Sequence, residues 1–207
     1  NGNTSGNGAR QTATISRNGD LVHRMYLEHE ASLIAIADGS GNTDNDELGI
    51  GCDYGSHLMK QMDLEIGGQL IDRHYGHWHS TYYQLTEFNP SGKSWTKGSR
   101  GLLNTPETEG TLFQKMSGNG NSFESYIAGG TGTFTKSGWT FTANVGGTAD
   151  EATGKFWIPL YFWFCRNPGL ALPLIALQYH EVKIDFIFNN LQTIGNHDDS
   201  YQELNVK

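Results

Sequence analysis

The fold is decided by residues 156–188, FWIPLYFWFCRNPGLALPLIALQYHEVKIDFIF, in which two largely apolar stretches flank one sharp break. The first stretch, Phe156–Cys165, is apolar at nearly every position, which is typical of a strand buried on both faces or lying in the centre of a sandwich. The break is Asn167-Pro168-Gly169. It predicts a type II turn, because proline fixes φ at the first central position and glycine tolerates a positive φ at the second.

The end of the second stretch, residues 180–188, alternates between apolar and charged side chains. Because successive strand residues point to opposite faces, this pattern predicts a strand with one face in the core and the other in water. We expect this strand and the Phe156–Cys165 strand to be neighbours in a β-sandwich. The predicted inner face consists of His180, Val182, Ile184, Phe186 and Phe188, and the outer face of Glu181, Lys183 and Asp185.

The N-terminal part of the chain predicts a β-hairpin. Short apolar runs separated by Gly, Asn, Asp and Ser are typical of antiparallel β structure. Gln11–Ser16 and Leu21–Glu28 have the composition of two strands. Asn18-Gly19 lies between them and is the dipeptide best suited to a two-residue type I′ turn, so these strands are predicted to pair with each other.

The middle of the chain predicts a strand followed by a helix. Met62–Ile71 alternates between apolar and polar residues, and the glycine pair Gly67-Gly68 predicts a bulge or a tight bend within it. Asp72 is then the predicted N-cap of a short helix over Arg73–Leu85. Large apolar side chains recur there at helical spacing, at Trp78, Tyr82 and Leu85.

Two segments have the composition of surface connections. Asp38–Asp46 (DGSGNTDND) holds almost nothing that could enter a core. Asn89–Gly154 is rich in glycine and predicted to be dominated by loops, with one alternating piece at Gly130–Ala143. Long excursions of this kind are where recognition usually occurs.

Composition narrows the class of protein. The chain has 207 residues, 27 of them glycine, and a formal net charge of −8. This length and glycine content favour one all-β antiparallel domain with many tight turns. The acidic balance argues against direct nucleic-acid binding, and no apolar run approaches the about 18 residues that predict a membrane span. Two cysteines, Cys52 and Cys165, do not form a disulfide framework.

One cluster offers potential metal ligands, namely Asp72, His74, His77 and His79. On a helix His79 points about 140° away from His74, and on a strand His77 and His79 oppose His74. Neither geometry gathers all three histidines. His180 is the one further histidine expected to face inward. We therefore predict no catalytic residue, no bound metal and no cofactor.

Three stretches together resemble the major capsid proteins of the nucleocytoplasmic large DNA viruses. They are ISRNGDLVHRMYL at 15–27, DLEIGGQLIDRHYGHWHSTYYQL at 63–85 and WIPLYFWFCRNPGLALPLIALQYHEVKI at 157–184. The resemblance implies an antiparallel jelly-roll β-sandwich with long loops and one or two short helices. The residues taken as its structural signature are Asp20, Gly67, Gly68, Asp72, Trp163, Asn167, Pro168 and Gly169.

The resemblance also implies a structural, non-enzymatic function in a virion capsid that is assembled in the host cytoplasm. The implied partners are two further copies in a trimeric, pseudo-hexagonal capsomer, neighbouring capsomers and minor capsid proteins. On this interpretation residues 1–207 are one jelly-roll domain of a longer double jelly-roll coat protein, without the first strand before Gln11 and the second jelly roll after Lys207. We expect Asn89–Gly154 to contribute to the outer tower or the surface between subunits.

Two other functions stay open from the residues alone. A carbohydrate-binding jelly-roll module would use Trp95, Tyr126 and Trp139 on exposed loops as stacking platforms for sugar faces. A cupin-like metalloenzyme would need His74, His77 or His180 to hold a metal ion. Glycan binding by the monomer would favour the first function, and stoichiometric zinc or iron would favour the second.

Overall fold

In the computed structural model, the chain forms two antiparallel β-sheets that enclose a hydrophobic core. The four-stranded sheet consists, in order, of β1 (Arg10–Thr14), β12 (Val182–Phe188), β5 (Met59–Ile66) and β6 (Gln69–Tyr75). The structure describes residues 9–35, 47–50, 53–88, 90, 111–120, 124–127, 132–136, 138–143, 151–189 and 202–206.

The second sheet has five strands, and two short strand pairs accompany the main sheets. In order, the five-stranded sheet consists of β13 (Gln202–Val206), β3 (Tyr26–Ala35), β10 (Glu151–Pro159), β9 (Trp139–Ala143) and β8 (Gly132–Lys136). The short pairs are β2 (Leu21–Val22) with β11 (Leu172–Pro173), and β4 (Glu47–Ile50) with β7 (Glu124–Ile127).

Pairing between distant parts of the chain defines the topology. β1, near the N-terminus, pairs with β12, and β3 pairs along nine residues with β10. Two facing antiparallel sheets built in this way form a jelly-roll β-sandwich, which confirms the predicted fold class. Inner faces of both sheets contribute to the core, with Met62, Leu64, Ile184, Phe156 and Ile158 among its fully buried side chains. Each such side chain contributes about 1.5–3 kcal/mol by leaving water.

Short helices close the ends of the sandwich. They are α1 (Tyr54–Leu58), α2 (Gly76–Thr86), α3 (Leu112–Ser117) and α4 (Trp163–Arg166), with a 3-10 turn at Pro168–Leu170. The expectation of one or two helices was therefore too low. In the part of the chain that the structure describes, no helix is both long and apolar enough to cross a membrane.

The predicted strand Phe156–Cys165 is only partly a strand. β10 ends at Pro159, which has no backbone N–H to continue a ladder, and the chain then turns into α4. Phe162 and Phe164 are buried all the same, so the apolar run fills the core from outside the sheet. Trp157 is 41% exposed, so β10 is not buried on both faces.

The strands on either side of the break are not neighbours within a sheet. β10 belongs to the five-stranded sheet and β12 to the four-stranded sheet, so they lie in opposite layers. The break itself is also different from the prediction. Pro168–Leu170 forms a 3-10 turn, whose start is capped by the Asn167 side chain accepting from Gly169 N at 2.9 Å. Gly169 does not adopt a positive φ, so the type II turn prediction was wrong.

The predicted hairpin at Asn18-Gly19 does not form. β1 pairs with β12, while β2 pairs with β11 and β3 with β10 and β13. Asn18-Gly19 favours a turn locally, but this preference is weaker than the long-range pairing of β12 with β1 on one side and β5 on the other.

A hairpin does form at Gly67-Gly68, where the sequence predicted a bend. Both glycines have positive φ, 61° and 80°, and they reverse the chain between β5 and β6. Gly67 N donates to Glu181 O at 2.8 Å, and a Cβ on Gly67 would lie 2.7 Å from His180 Nδ1. Glycine is therefore required at position 67 by conformation and by space.

The predicted helix over Arg73–Leu85 exists but begins later. Residues 69–75 form β6, so Asp72 lies in a strand and does not cap a helix, and α2 starts at Gly76 after Tyr75. Pairing with β5 thus overrides the local capping signal. The buried face of α2 consists of Gly76, His79 and Tyr83, whereas Leu85 is 80% exposed.

Residues 89–154 hold more regular structure than the predicted loops. They include α3, β7, β8, β9 and the start of β10, and Gly130–Ala143 contributes the β8–β9 hairpin. α3 begins with a capping box, in which Thr111 Oγ1 accepts from Gln114 N and Gln114 Oε1 accepts from Thr111 N. The predicted loop Asp38–Asp46 lies outside the described residues.

Candidate functional site

The signature residues near the N-terminus and in the β5–β6 turn stabilise loops at the ends of strands. Beside the Gly67 contact, Arg17 Nη2 donates to His180 O at 2.8 Å. Asp20 is exposed, and its backbone oxygen accepts from Leu174 N at 2.9 Å, which continues the short β2–β11 pair. Gly68 has open space around its Cα. Asp20 and Gly67 therefore contribute through their backbone atoms.

The C-terminal signature residues form the α4 segment and the turn after it. Trp163 is half-buried against the core and makes an edge contact with Phe164, with ring centroids 5.3 Å apart. The Asn167 cap and Pro168 at the first position of the turn then redirect the chain towards β11. Asp72 is the one signature residue in contact with a buried titratable group, because its Oδ2 lies 3.2 Å from His74 Nε2.

The histidines of the proposed metal cluster do not converge. His74 and His79 are buried, whereas His77 and His180 are exposed, so His180 does not face inward as expected. Among the described residues, no group of three or more His, Cys, Asp or Glu side chains is placed to hold a metal ion. The arrangement gives no support to the metalloenzyme alternative.

Instead, His74 and His79 lie in an aromatic environment that we call the histidine pocket, formed by His74, His79, Tyr161 and Phe162. The His74 ring stacks on Phe162 at 4.6 Å between centroids, and the His79 ring lies 5.1 Å from Tyr161 and 5.9 Å from His74. Within the described part of the chain, His74 Nδ1 and both ring nitrogens of His79 lack hydrogen-bond partners.

Burial therefore dominates the titration of these rings. Burial, with a smaller contribution from the neighbouring His74, lowers the pKa of His79 to about 3. Burial also lowers the pKa of His74, and this effect outweighs the opposing attraction of Asp72. On the five-stranded sheet, His29 is a third buried histidine, hydrogen-bonded to the Tyr54 hydroxyl at 2.8 Å. Burial lowers the pKa of His29 to about 4.

One of the three aromatic residues that the carbohydrate-binding alternative needs is not on the surface. Trp139 is 1% exposed and packs between Tyr54 and Phe156, with ring centroids 4.8 and 4.9 Å away. The prediction that Trp139 lies on an exposed loop was wrong, because it is the first residue of β9 and faces the core. Trp95 and the side chain of Tyr126 lie outside the described residues.

A row of polar side chains crosses the outer face of the four-stranded sheet, the side turned away from the core. Four residues lie in register, one from each strand, and we call them the carboxylate row: Thr12, Asp185, Asp63 and Arg73. Arg73 Nε and Nη2 donate to the two oxygens of Asp63 at 2.7 and 2.8 Å. Asp185 accepts from Thr12 Oγ1 and from Arg10 Nη2.

The row places two carboxylates directly opposite each other, an arrangement that is unfavourable without cations. The hydrogen bond from Arg73 is the main cause that lowers the pKa of Asp63. Burial raises the pKa of Asp185, but hydrogen bonds from Thr12 and Arg10 outweigh burial and leave it lowered. The alternating pattern predicts that Asp185 faces water, but Asp185 is 3% exposed, because pairing of β12 with β5 sets it opposite Asp63. The row can be seen only once these distant strands are paired.

Asp53 joins three of the helices. It is the one non-glycine residue with a positive φ, 53°, among those described. Its carboxylate accepts from Ser80 Oγ on α2 at 3.0 Å and from Gly120 N after α3 at 2.8 Å, and also from the Tyr83 hydroxyl. This contact set fixes the helical end of the sandwich and has no catalytic geometry.

Apolar side chains are exposed along β6, which lies at the edge of its sheet among the strands that the structure describes. Leu70, Ile71 and Tyr75 are 48%, 49% and 50% exposed. An edge strand with apolar side chains is a surface suited to being covered by another chain or segment.

Comparison with known proteins identifies the family. Residues 1–204 match the family described as major capsid protein N-terminus. The chain is 38% identical over 190 residues to the major capsid protein of Phaeocystis pouchetii virus, covering 89% of this chain and 32% of that protein. It is 36% identical over 183 residues to that of Pyramimonas orientalis virus, covering 88% and 34%.

The chain thus spans about a third of the length of these curated relatives. Among solved structures, the Faustovirus major capsid protein is similar with a TM-score of 0.49 at 14% identity, covering 99% of this chain and 44% of that one. Because the family match extends over residues 1–204, this chain belongs to the major capsid protein N-terminus family.

Proposed function

We propose that this chain is a structural part of a viral capsid, as the N-terminal jelly-roll domain of a longer major capsid protein. The observation that carries the proposal is the family match over residues 1–204. The relatives named above are major capsid proteins of which the chain covers about a third, so the coat function belongs to a larger polypeptide.

The surface of the sandwich supports a function in assembly. β6 presents exposed apolar side chains at a sheet edge, and the adjoining outer face carries paired charges. Repeated contacts of this mixed kind are what symmetric assemblies use, since each interface is modest and symmetry multiplies it. In this proposal the capsomer is a homotrimer that contacts neighbouring capsomers and minor capsid proteins, and assembly takes place in the host cytoplasm.

We infer a non-enzymatic function without a cofactor or direct nucleic-acid binding. Among the described residues, the candidate histidines and carboxylates are not grouped so as to hold a metal ion. A net charge of −8 gives a shell subunit no electrostatic attraction for a phosphate backbone.

The coat function is tested on purified native particles. Quantitative mass spectrometry should find peptides from residues 10–35 and 151–189 in the protein that makes up most of the particle mass. A trace amount, or presence only in infected-cell lysate, would contradict the proposal.

Trimer formation is tested by sedimentation of the full-length protein. The expected species has three times the mass of one full-length protein chain. Ile71→Asp on β6 should shift this species towards the monomer. Leu112→Asp on α3, a more exposed position at 81%, is the matched control and should leave the trimer intact. A monomeric wild-type protein would contradict the trimer, and an intact Ile71→Asp trimer would exclude β6 from its interface.

A further inference from the structure

The histidine pocket lies at a junction of the fold. His74 is in β6, and His79 is in the first turn of α2, which follows β6 directly. The His74 ring packs on Phe162 and the His79 ring packs on Tyr161, both in the segment between β10 and α4. The pocket therefore holds one end of α2 against the chain that leaves the five-stranded sheet.

The pocket disfavours a charged His79 ring. His79 is 0% exposed, and neither of its ring nitrogens has a partner among the described residues. Among the described residues, a proton on His79 would place a buried charge without a hydrogen-bond acceptor and 5.9 Å from a second histidine ring. Burying an unpaired charge is strongly unfavourable, so protonation favours any state in which the ring reaches water.

The charged groups around the pocket do not compensate for such a proton. Asp72 on β6 contacts His74 and leaves His79 unpaired. Arg166 on α4 stacks on Trp78 and Tyr82 of α2, and its charge opposes protonation of His74. The other titratable groups on the packed elements are engaged elsewhere or face water: Asp53 and His57 on α1, Asp63 on β5, Arg73 on β6, His77 and Tyr83 on α2, Glu87 after α2, and Tyr161.

We propose that His74 and His79 form an acid-sensitive latch, which releases α2 from Tyr161 and Phe162 when the pH falls from about 7 to about 5. The start of α2 is suited to this movement because much of the helix faces solvent and because other contacts hold its later turns. These are the hydrogen bonds of Asp53 with Ser80 and Tyr83 and the packing of Tyr82 on Tyr161. The latch does not depend on the proposed coat function.

Hydrogen exchange of the full chain tests the latch. After correction for the intrinsic pH dependence of exchange, protection of the α2 amides should fall by about tenfold or more between pH of about 7 and about 5. At the lower pH, α2 should exchange faster than β10 and β12. A common exchange rate for α2 and both strands, or α2 protection that does not change with pH, would overturn the proposal.

Two variants assign the effect to the pocket. His79→Gln keeps a polar side chain but does not titrate, so it should remove most of the pH dependence of α2 exchange. His77→Gln, an exposed histidine on the same helix, should behave like the wild type. A wild-type response in His79→Gln would overturn the proposal. Histidine-ring NMR of the unmodified chain gives a test without variants, since a His79 ring that titrates near its ordinary value with α2 still protected would also contradict the latch.

Discussion

The carboxylate row and the histidine pocket both bury titratable side chains, the row within the four-stranded sheet and the pocket between that sheet and α2, yet they do so in opposite ways. Asp63 and Asp185 keep their charges because arginine, threonine and glutamine side chains donate to them. His74 and His79 stay neutral because nothing in the described pocket would pair with a second proton on His79. The row lies on the outer face of the four-stranded sheet, and the pocket lies under α2.

Hydrogen-bond partners, more than the extent of burial, thus decide how the stability contributed by a buried titratable group depends on pH. Partners lower the pKa of each carboxylate in the row, so its stabilising effect persists until the pH falls below the ordinary value of 3.8. Desolvation lowers the pKa values of the histidines, so the unfolded chain binds more protons than the folded one below the ordinary value of 6.5. Acid should therefore destabilise the histidine regions first.

The largest expected effect comes from removing a wall of the pocket. Phe162→Ala deletes a fully buried ring that stacks on His74 and Phe164, and should lower the free energy of unfolding by about 3–5 kcal/mol. Urea unfolding at neutral pH measures the loss. Trp157→Ala, at a 41% exposed position on β10, is the control and should cost much less. Equal losses would mean that the pocket is not tightly packed.

The pH dependence of wild-type stability is the next effect. With pKa values of about 4 for His29 and about 3 for His79, the folded state takes up fewer protons than the unfolded state as the pH falls from 6.5. The free energy of unfolding should drop by about 3 kcal/mol between pH of about 7 and about 5. Urea titrations across this range measure it. His29→Gln should remove about half of the drop, and a flat profile would break the contrast between the two regions.

A smaller effect is expected in the row. Asp185→Asn removes the charge that Arg10 and Thr12 bind, and should lower stability by about 1–2 kcal/mol at neutral pH. Thermal unfolding should show this difference shrink below the ordinary pKa of 3.8 and disappear once the pH has fallen through the lowered pKa of the folded wild-type carboxyl. Glu181→Gln, an exposed partner of Lys183, is the matched control. A loss that persists unchanged in acid would show that charge is not what Asp185 contributes.

The smallest effect concerns the exposed ion pairs of Lys155 on the five-stranded sheet. Lys155 contacts Glu28 and Glu30 at 2.6 and 2.9 Å, distances like those in the row, but all three side chains are well exposed. Lys155→Ala should not change the melting temperature measurably, because solvent screens exposed pairs. A loss as large as that of Asp185→Asn would show that burial does not distinguish the two sets of charges.

The sequence predicts the fold class better than the details of pairing. Alternation at 182–188 correctly places Val182, Ile184 and Phe186 in the core, because a period of two is a property of the strand itself. The wrong hairpin at Asn18-Gly19 and the wrong helix cap at Asp72 have one cause. Both were local signals, and both were overridden by pairing with strands that are distant in the sequence.

Neither the row nor the pocket could be predicted for the same reason. Asp63 and Asp185 are 122 positions apart and meet only once β5 and β12 are in register. His79 was considered as a potential metal ligand and no metal site was predicted. Its burial depends on Tyr161 and Phe162, which a strand prediction over Phe156–Cys165 placed in a sheet. The glycine pair Gly67-Gly68 predicted a bulge or a tight bend within one strand, whereas the chain reverses there between β5 and β6, with positive φ at both glycines.

The central claim, that this sandwich is a building unit of a capsid, is tested most directly by cryo-electron microscopy of the native particle. The density of the shell should contain this two-sheet sandwich, with the edge strand β6 covered by a neighbouring subunit or domain. A shell built without this sandwich, with the chain absent from the icosahedral layer, would contradict the claim.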